Sequence, residues 1–303
     1  TFTNVPGGTA HWTFTGGTNY NDASGDVAIV IKKADATINV VGFTGVYDGN
    51  AHGPTGTATG VGGANLNVSL NLGPTFTNVP GGTANWMFTG GTNYNDASAS
   101  VAIVINKRPA SVTPNDASKL LGAVDPIPLT TGTLTGFLSG DGVTATYSRT
   151  LGETVAGNPY TISATLSPAG VLGNYDITYN TAKFYIYYKF NGFFRPIDNL
   201  PIVNIVNSGS SVPIKFSLTG YQGTNIFATG YPRSAVMACN GSAPAAFSDE
   251  IATPGSSGLS YDPGTDQYIY VWKTEKAWSN SCRRLAVMLN DGQTYYADFN
   301  FKK

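Results

Sequence analysis

Apolar and polar positions alternate along much of the chain with a period of two. The clearest run is LNVSLNL at 66–72, where Leu66, Val68, Leu70 and Leu72 share one face and Asn67, Ser69 and Asn71 the other. That pattern predicts a half-buried strand with a wet outer face. VAIVI at 101–105 is apolar on both faces and predicts a central or doubly covered strand. TISATL turns Ile162, Ala164 and Leu166 to one side. Further on, VPIKFSL (212–218), YIYVWKT (268–274), RRLAVML (283–289) and TYYADFNF (294–301) read as strands. Asn290-Asp291-Gly292 joins the last two as a hairpin. Turn signals punctuate the rest: Tyr47-Asp48-Gly49-Asn50, Val79-Pro80-Gly81-Gly82, Thr89-Gly90-Gly91, Asp141-Gly142 and Gly157-Asn158-Pro159. No stretch keeps a 3.6-residue apolar period long enough to predict a helix. The chain reads as all-β: tandem small antiparallel β domains, sandwich-like or β-grasp-like, in an extended array.

The array follows from a repeat. Residues 1–33 return at 75–107, an offset of 74, with five differences: His11/Asn85, Thr13/Met87, Gly25/Ala99, Asp26/Ser100 and Lys32/Asn106. Residues 34–107 are therefore one complete unit, and 1–33 the back half of another. A fixed period marks an array. A unit of 74 residues closes its own small core, so the units are beads on a string rather than solenoid turns.

GVYDGNAH (45–52), NVPGGTANW (78–86), GGTNYNDAS (90–98) and VAIVINK (101–107) together resemble the YDG/MBG-type repeats of bacterial surface proteins. Residues 108–188, through SVTPNDASKLLGAVDP and TGTLTGFLSGDG, resemble the YGX-type relatives of the same domain. The Tyr-Gly pair usual in that family is Leu121-Gly122 here, where only a packing change is expected. From about residue 189 the texture changes. GFFRPIDN, the motif Pro213-Ile214-Lys215-Phe216, WKTEKAWSNSC and the closing DGQTYYADFNFK resemble the PxKF domain found at the end of bacterial secreted proteins. The resemblances divide the chain into 1–33, 34–107, 108–188 and 189–303.

Composition removes some functions. Charged residues are 12% of the 303, against about 25% in an average soluble protein, and the formal net charge is −1. There is no basic patch to draw nucleic acid or an anionic membrane. No apolar run of about 18 residues exists, so this segment has no helical membrane span. The chain has no initiator Met or signal peptide and starts inside a repeat, so it is expected to be a fragment or processed form.

Candidate chemistry is sparse. Cys239 and Cys282 form a disulfide, two unpaired buried thiols or half a metal site. No His lies near either in sequence and no C-x-x-C occurs, which argues against zinc; a disulfide fits an exported protein. Lys215, Asp298 and Asn300 lie on strands read as neighbours, as a cross-strand pair or an intramolecular Lys–Asn crosslink. His11 is replaced by Asn85 in the other copy, and His52 follows a turn without an evident partner. Asn93-Tyr94-Asn95-Asp96 and Asp262-Pro263-Gly264-Thr265-Asp266 cluster oxygen ligands, but read better as turns that bond their own backbone than as calcium loops. Trp12 and Trp86 are one core position in two copies; Trp278 is the better candidate for a ligand contact. No nucleophile–base or carboxylate pair is evident, and no cofactor motif occurs.

The expectation is a non-enzymatic extracellular protein of the bacterial cell surface: a stalk, adhesin stem or filament subunit. Its back-half repeat would accept strands from another molecule, giving head-to-tail self-association. The competing expectation is an adhesin whose C-terminal domain binds glycan or another surface component.

Overall fold

The computed structural model describes residues 1–244, 246–247, 249–250 and 258–303. The half repeat is a hairpin of β1 (Gly7–Phe14) and β2 (Ala23–Val30), in which His11 faces Asp26 and Trp12 faces Gly25. The complete repeat follows with β3 (Thr37–Val41), β4 (Phe43–Val46), β5 (Thr55–Thr59), β6 (Leu70–Asn71), β7 (Gly81–Phe88) and β8 (Ala97–Asn106). Its larger sheet runs β4-β8-β7-β6, and β3 pairs with β5.

β8 is the central strand expected of VAIVI, but only one of its faces is covered. Ile103 and Ile105 are buried, while Ala102 and Val104 are exposed. The run at 66–72 is not one strand. Residues Asn67–Ser69 form a 3-10 turn, β6 keeps only Leu70 and Asn71, and Val68 is 99% exposed. The polar residues cause this. The Asn67 side chain accepts from the Ala58 amide at 2.7 Å, and the Asn65 side chain accepts from the Asn67 amide at 2.9 Å. These local bonds compete with a strand ladder.

The next segment contributes β9 (Arg108–Pro114), β10 (Ala117–Leu120), β11 (Gly132–Thr135), β12 (Thr144–Arg149), β13 (Tyr160–Ser167), β14 (Tyr175–Tyr179) and β15 (Ala182–Tyr187), in sheets ordered β11-β9-β14 and β10-β15-β13-β12. In β13, Ile162 and Leu166 are buried, with Ala164 half-buried on the same side. The last segment holds β16 (Phe193–Phe194), β17 (Val203–Asn207), β18 (Ser211–Phe216), β19 (Arg233–Met237), β20 (Asp249–Glu250), β21 (Ser260–Asp262), β22 (Gln267–Lys273), β23 (Ser281–Met288) and β24 (Thr294–Lys302). They form two sheets, β16-β18-β22-β21 and β17-β24-β23-β19-β20. The fold is all-β, as its periodicity implies, with a difference in strand direction. The pairs β4/β8, β9/β14, β10/β15 and β17/β24 are parallel. Parallel partners need long connections rather than tight hairpins, so adjacent sequence runs do not reveal them.

The chain divides into two compact units. One comprises Thr1–Val112, Leu134–Ala145 and Leu166–Tyr179; the other comprises Thr113–Thr133, Thr146–Thr165 and Asn180–Lys303. A core cluster of the first gathers Tyr47, Ile105, Ala110 and Tyr175, with Phe137 and Ile177 against them. The core of the second lies largely between its two C-terminal sheets. The Trp272 ring meets Phe299 at 5.2 Å and Phe301 at 5.7 Å, both edge-on. Leu121 packs against this same cluster.

Candidate functional site: a tyrosine–carboxylate joint

The YDG turn starts the site in the first unit. The Asp48 carboxylate accepts from the Asn50 amide at 2.9 Å and its side-chain amide at 3.1 Å. His52 Nε2 lies 2.8 Å from Asp48 Oδ1, and the imidazole stacks on Phe43 with ring centres 3.9 Å apart. His52 therefore has two partners, which its sequence context did not reveal. The Asn50 amide, then His52, hold the Asp48 carboxyl down at about 2.

This closed turn sets Tyr47, which is buried, at the start of the connection after β4. Its hydroxyl donates to both carboxylate oxygens of Asp141 at 3.1 Å. The Tyr175 hydroxyl, from β14, also donates to Asp141 and accepts from the Leu138 amide at 3.0 Å. The two phenol rings meet edge-on, with centres 5.5 Å apart. Burial, then the Asp141 carboxylate, push the Tyr175 phenol up to about 12 and raise Tyr47 as well. Raised phenols stay protonated and act as donors, so both hydroxyls tie their segments to the Asp141 carboxylate. Asp141 had been read only as half of an Asp-Gly turn. Its partners lie 94 and 34 residues away in sequence, beyond the reach of any local pattern.

A second charged group lies in the other unit. Lys119 Nζ sits 2.7 Å from Asp125 and 2.5 Å from Glu153. Arg149 Nε bonds Asp125 at 2.7 Å, and Arg149 also pairs with Glu153. The guanidinium lies over Phe184 at 4.8 Å. Arg149 and then Lys119 outweigh desolvation and hold the Asp125 carboxyl down at about 2. Two cations satisfy two anions, which leaves neither carboxylate as a free base.

The C-terminal candidates are placed as follows. Cys239 and Cys282 form a disulfide, with Cα atoms 5.2 Å apart. Lys215 is not beside Asp298 or Asn300. It lies on β18, opposite Ile269 and Phe194, whereas Asp298 and Asn300 lie on β24 in the other sheet. Asp298 is buried and bonded by Arg284 at 2.6 and 2.8 Å. The sequence reading sets these strands side by side; the sheet order removes the cross-strand pair and lends no support to the crosslink. Trp278 ends the 3-10 turn before β23. Its ring is half-buried against Trp272 and Phe301, and the Arg283 guanidinium lies over it at 4.1 Å. It packs at the edge of the core.

The carboxylates of the oxygen-rich turns are taken up by hydrogen bonds, some within the turn and some from distant segments. Asp262 accepts from Gly264 and Thr265, Asp266 from Ser217, Gly220 and Tyr261, and Asp96 from Gly90. Among the described residues no group of three or more His, Cys, Asp or Glu is arranged to hold a metal. His11 Nδ1 lies 2.7 Å from Asp26, both exposed. Among the described residues, shallow depressions of about 360 Å³ lie at Trp86 and Met87 and at Phe227 and Leu289. The single carboxylate of the first, Asp96, already accepts from the Gly90 amide.

Residues 110–185 match the family model described as MBG domain (YGX type). The MBG segment thus includes Asp141, Tyr175, Lys119 and Arg149. No curated protein matches the chain. Solved structures that it resembles include a chimeric titin Z1Z2 tandem, at 12% identity and TM-score 0.22, covering 63% of this chain and 95% of that one. The N-terminal eight Ig domains of Down syndrome cell adhesion molecule match at 11% and 0.22, covering 97% of this chain and 38% of that one. The human desmocollin-1 ectodomain matches at 9% and 0.23, covering 92% and 63%. None of these carries a function over to this chain.

Proposed function

We propose that the chain is a non-enzymatic extracellular structural protein of the bacterial cell surface, a stalk, adhesin stem or filament subunit. Its modules are a half repeat (1–33), a complete YDG/MBG-type repeat (34–107), the MBG segment (108–188) and a PxKF-type β domain (189–303).

The observation that carries this is where the two copies differ. All five substituted positions are exposed in the complete repeat: Asn85, Met87, Ala99, Ser100 and Asn106. Two of them are cross-strand partners. His11 faces Asp26 in one copy, and Asn85 faces Ser100 in the other, so the imidazole and its carboxylate are exchanged together. A repeat kept for a reactive group would keep that group. This one keeps its core and its turns, which supports a role in shape. The disulfide suits an oxidising, extracellular compartment.

Head-to-tail self-association is part of this proposal. In the complete repeat, β4 and β6 flank β8 and β7, and Phe88 and Ile103 are each 1% exposed. Strands of the 34–73 type from another molecule would pair with a back-half hairpin in the same way. Electron micrographs of the purified chain test the proposal: rods, singly or joined end to end, are expected, and compact globules would overturn it. The glycan-binding alternative rests on Trp278, and the packing of its half-buried ring against Trp272 and under the Arg283 guanidinium weighs against it. A glycan array probed with the full chain should therefore be blank.

A further inference from the structure

Two joints in the first unit are made by the same three hydrogen bonds. Asn93 accepts at Oδ1 from the Val5 amide (3.0 Å), donates from Nδ2 to Asn4 Oδ1 (2.8 Å), and accepts at its carbonyl from the Ala34 amide (3.0 Å). Asn174 accepts at Oδ1 from the Val79 amide (2.9 Å), donates from Nδ2 to Asn78 Oδ1 (2.9 Å), and accepts at its carbonyl from the Arg108 amide (2.9 Å). Asn78, Val79 and Arg108 stand one 74-residue period after Asn4, Val5 and Ala34. On the held side, the two joints are one feature in two copies.

The holding side is more informative. Asn93 belongs to the repeat, in GGTNYNDA; Asn174 belongs to the MBG segment, in VLGNYDIT. Beyond Gly-x-Asn-Tyr or Gly-Asn-Tyr little is shared, and a short helix (Ala169–Leu172) precedes Asn174 where a Gly-Gly turn precedes Asn93. The contact is conserved in chemistry across two kinds of module, so it is a docking device rather than a by-product of one loop. A primary amide suits it, since one side chain satisfies a backbone donor and a side-chain acceptor at once.

The repeat carries a third copy of the holding residue. Asn19 is the repeat equivalent of Asn93, and it makes no side-chain hydrogen bond among the described residues. Its loop already has the holding shape. The Gly16 amide donates to Asp22 (2.9 Å) as Gly90 donates to Asp96 (2.8 Å), and the Tyr20 amide donates to the Gly16 carbonyl (3.2 Å) as Tyr94 donates to Gly90 (3.1 Å). Tyr20 is 73% exposed, whereas Tyr94 is half-buried. We propose that Asn19 is a preformed socket for the Asn-Val-Pro corner of a further repeat of the 34–107 type. Asn93 and Asn174 are then the same socket already filled. Both Asn-Val-Pro corners of this chain are occupied, so the occupant must bring its own. The proposal concerns only how one repeat holds the next, and it stands whether or not the array serves as a stalk.

The test uses the chain lengthened by a second copy of residues 1–74 placed ahead of Thr1, with amide hydrogen exchange as readout. The added Val5 amide is expected to exchange as slowly as the original Val5 and Val79 amides. Asn19→Ala should speed the added Val5 at least tenfold while sparing the other two; Asn93→Ala should speed only the original Val5, and Asn174→Ala only Val79. Asn19→Asp keeps the acceptor oxygen and should preserve most of the protection, which separates a lost bond from a misfolded loop. An added Val5 that exchanges freely, or protection indifferent to Asn19→Ala and Asn19→Asp alike, overturns the proposal.

Discussion

Single side chains here act by holding distant backbone together, and their charges make that measurable. Asp298 is buried and meets Arg284 through two short bonds. Removing one partner of a buried ion pair leaves the other uncompensated, so Arg284→Ala should cost about 3–5 kcal/mol in denaturant unfolding. Tyr175 carries a sign that can be checked. Its folded phenol lies at about 12, above the ordinary 10. Its contribution is complete below about pH 10 and is lost as pH rises through the folded value. Absorbance at alkaline pH should show a late-ionising class that includes Tyr175, Tyr261 and Tyr295, each near 12. Tyr175→Phe should remove one member. Asp125 runs the other way. Its carboxyl is held at about 2, so the stabilisation is present above the unfolded value of about 4 and is lost as pH falls toward 2. Thermal melts across that window should fall less steeply in Asp125→Asn than in the parent.

Elements show where local pattern sufficed and where it did not. β13, β18, β22, β23 and β24 were legible because alternation, aromatic content and turn residues agreed. The run at 66–72 was the most regular alternation in the chain and failed, because its asparagines bond nearby amides before a ladder can form. Lys215 lies on a strand that the sequence reading sets beside the wrong neighbour. Periodicity fixes which way a side chain points, but not which strand lies next to it. The disulfide ties the chain just beyond β19 to β23, where Met237 already faces Cys282. It closes a separation of 43 residues. Reduction, or Cys239→Ser with Cys282→Ser, should lower stability by about 2–4 kcal/mol.

At the scale of the whole molecule, the two compact units offer separate reports. Tyr47, Asp141 and Tyr175 lie in the first; the disulfide, Lys119 and Arg149 lie in the second. Calorimetry should therefore show Tyr175→Phe lowering one component and reduction lowering another; a single transition shifted equally by both would contradict this. The MBG segment contributes residues to both units, so its sequence limits are not the limits of a compact unit.

The 74-residue period, the all-β class and the scarcity of charge were set by the linear chain, since each depends on residues close together or on bulk composition. The folded chain alone decided which strands run parallel, which carboxylate receives two phenols, and which asparagines hold the corner before them. Those choices join residues many tens of positions apart, and no local rule of alternation or turn chemistry encodes such a distance.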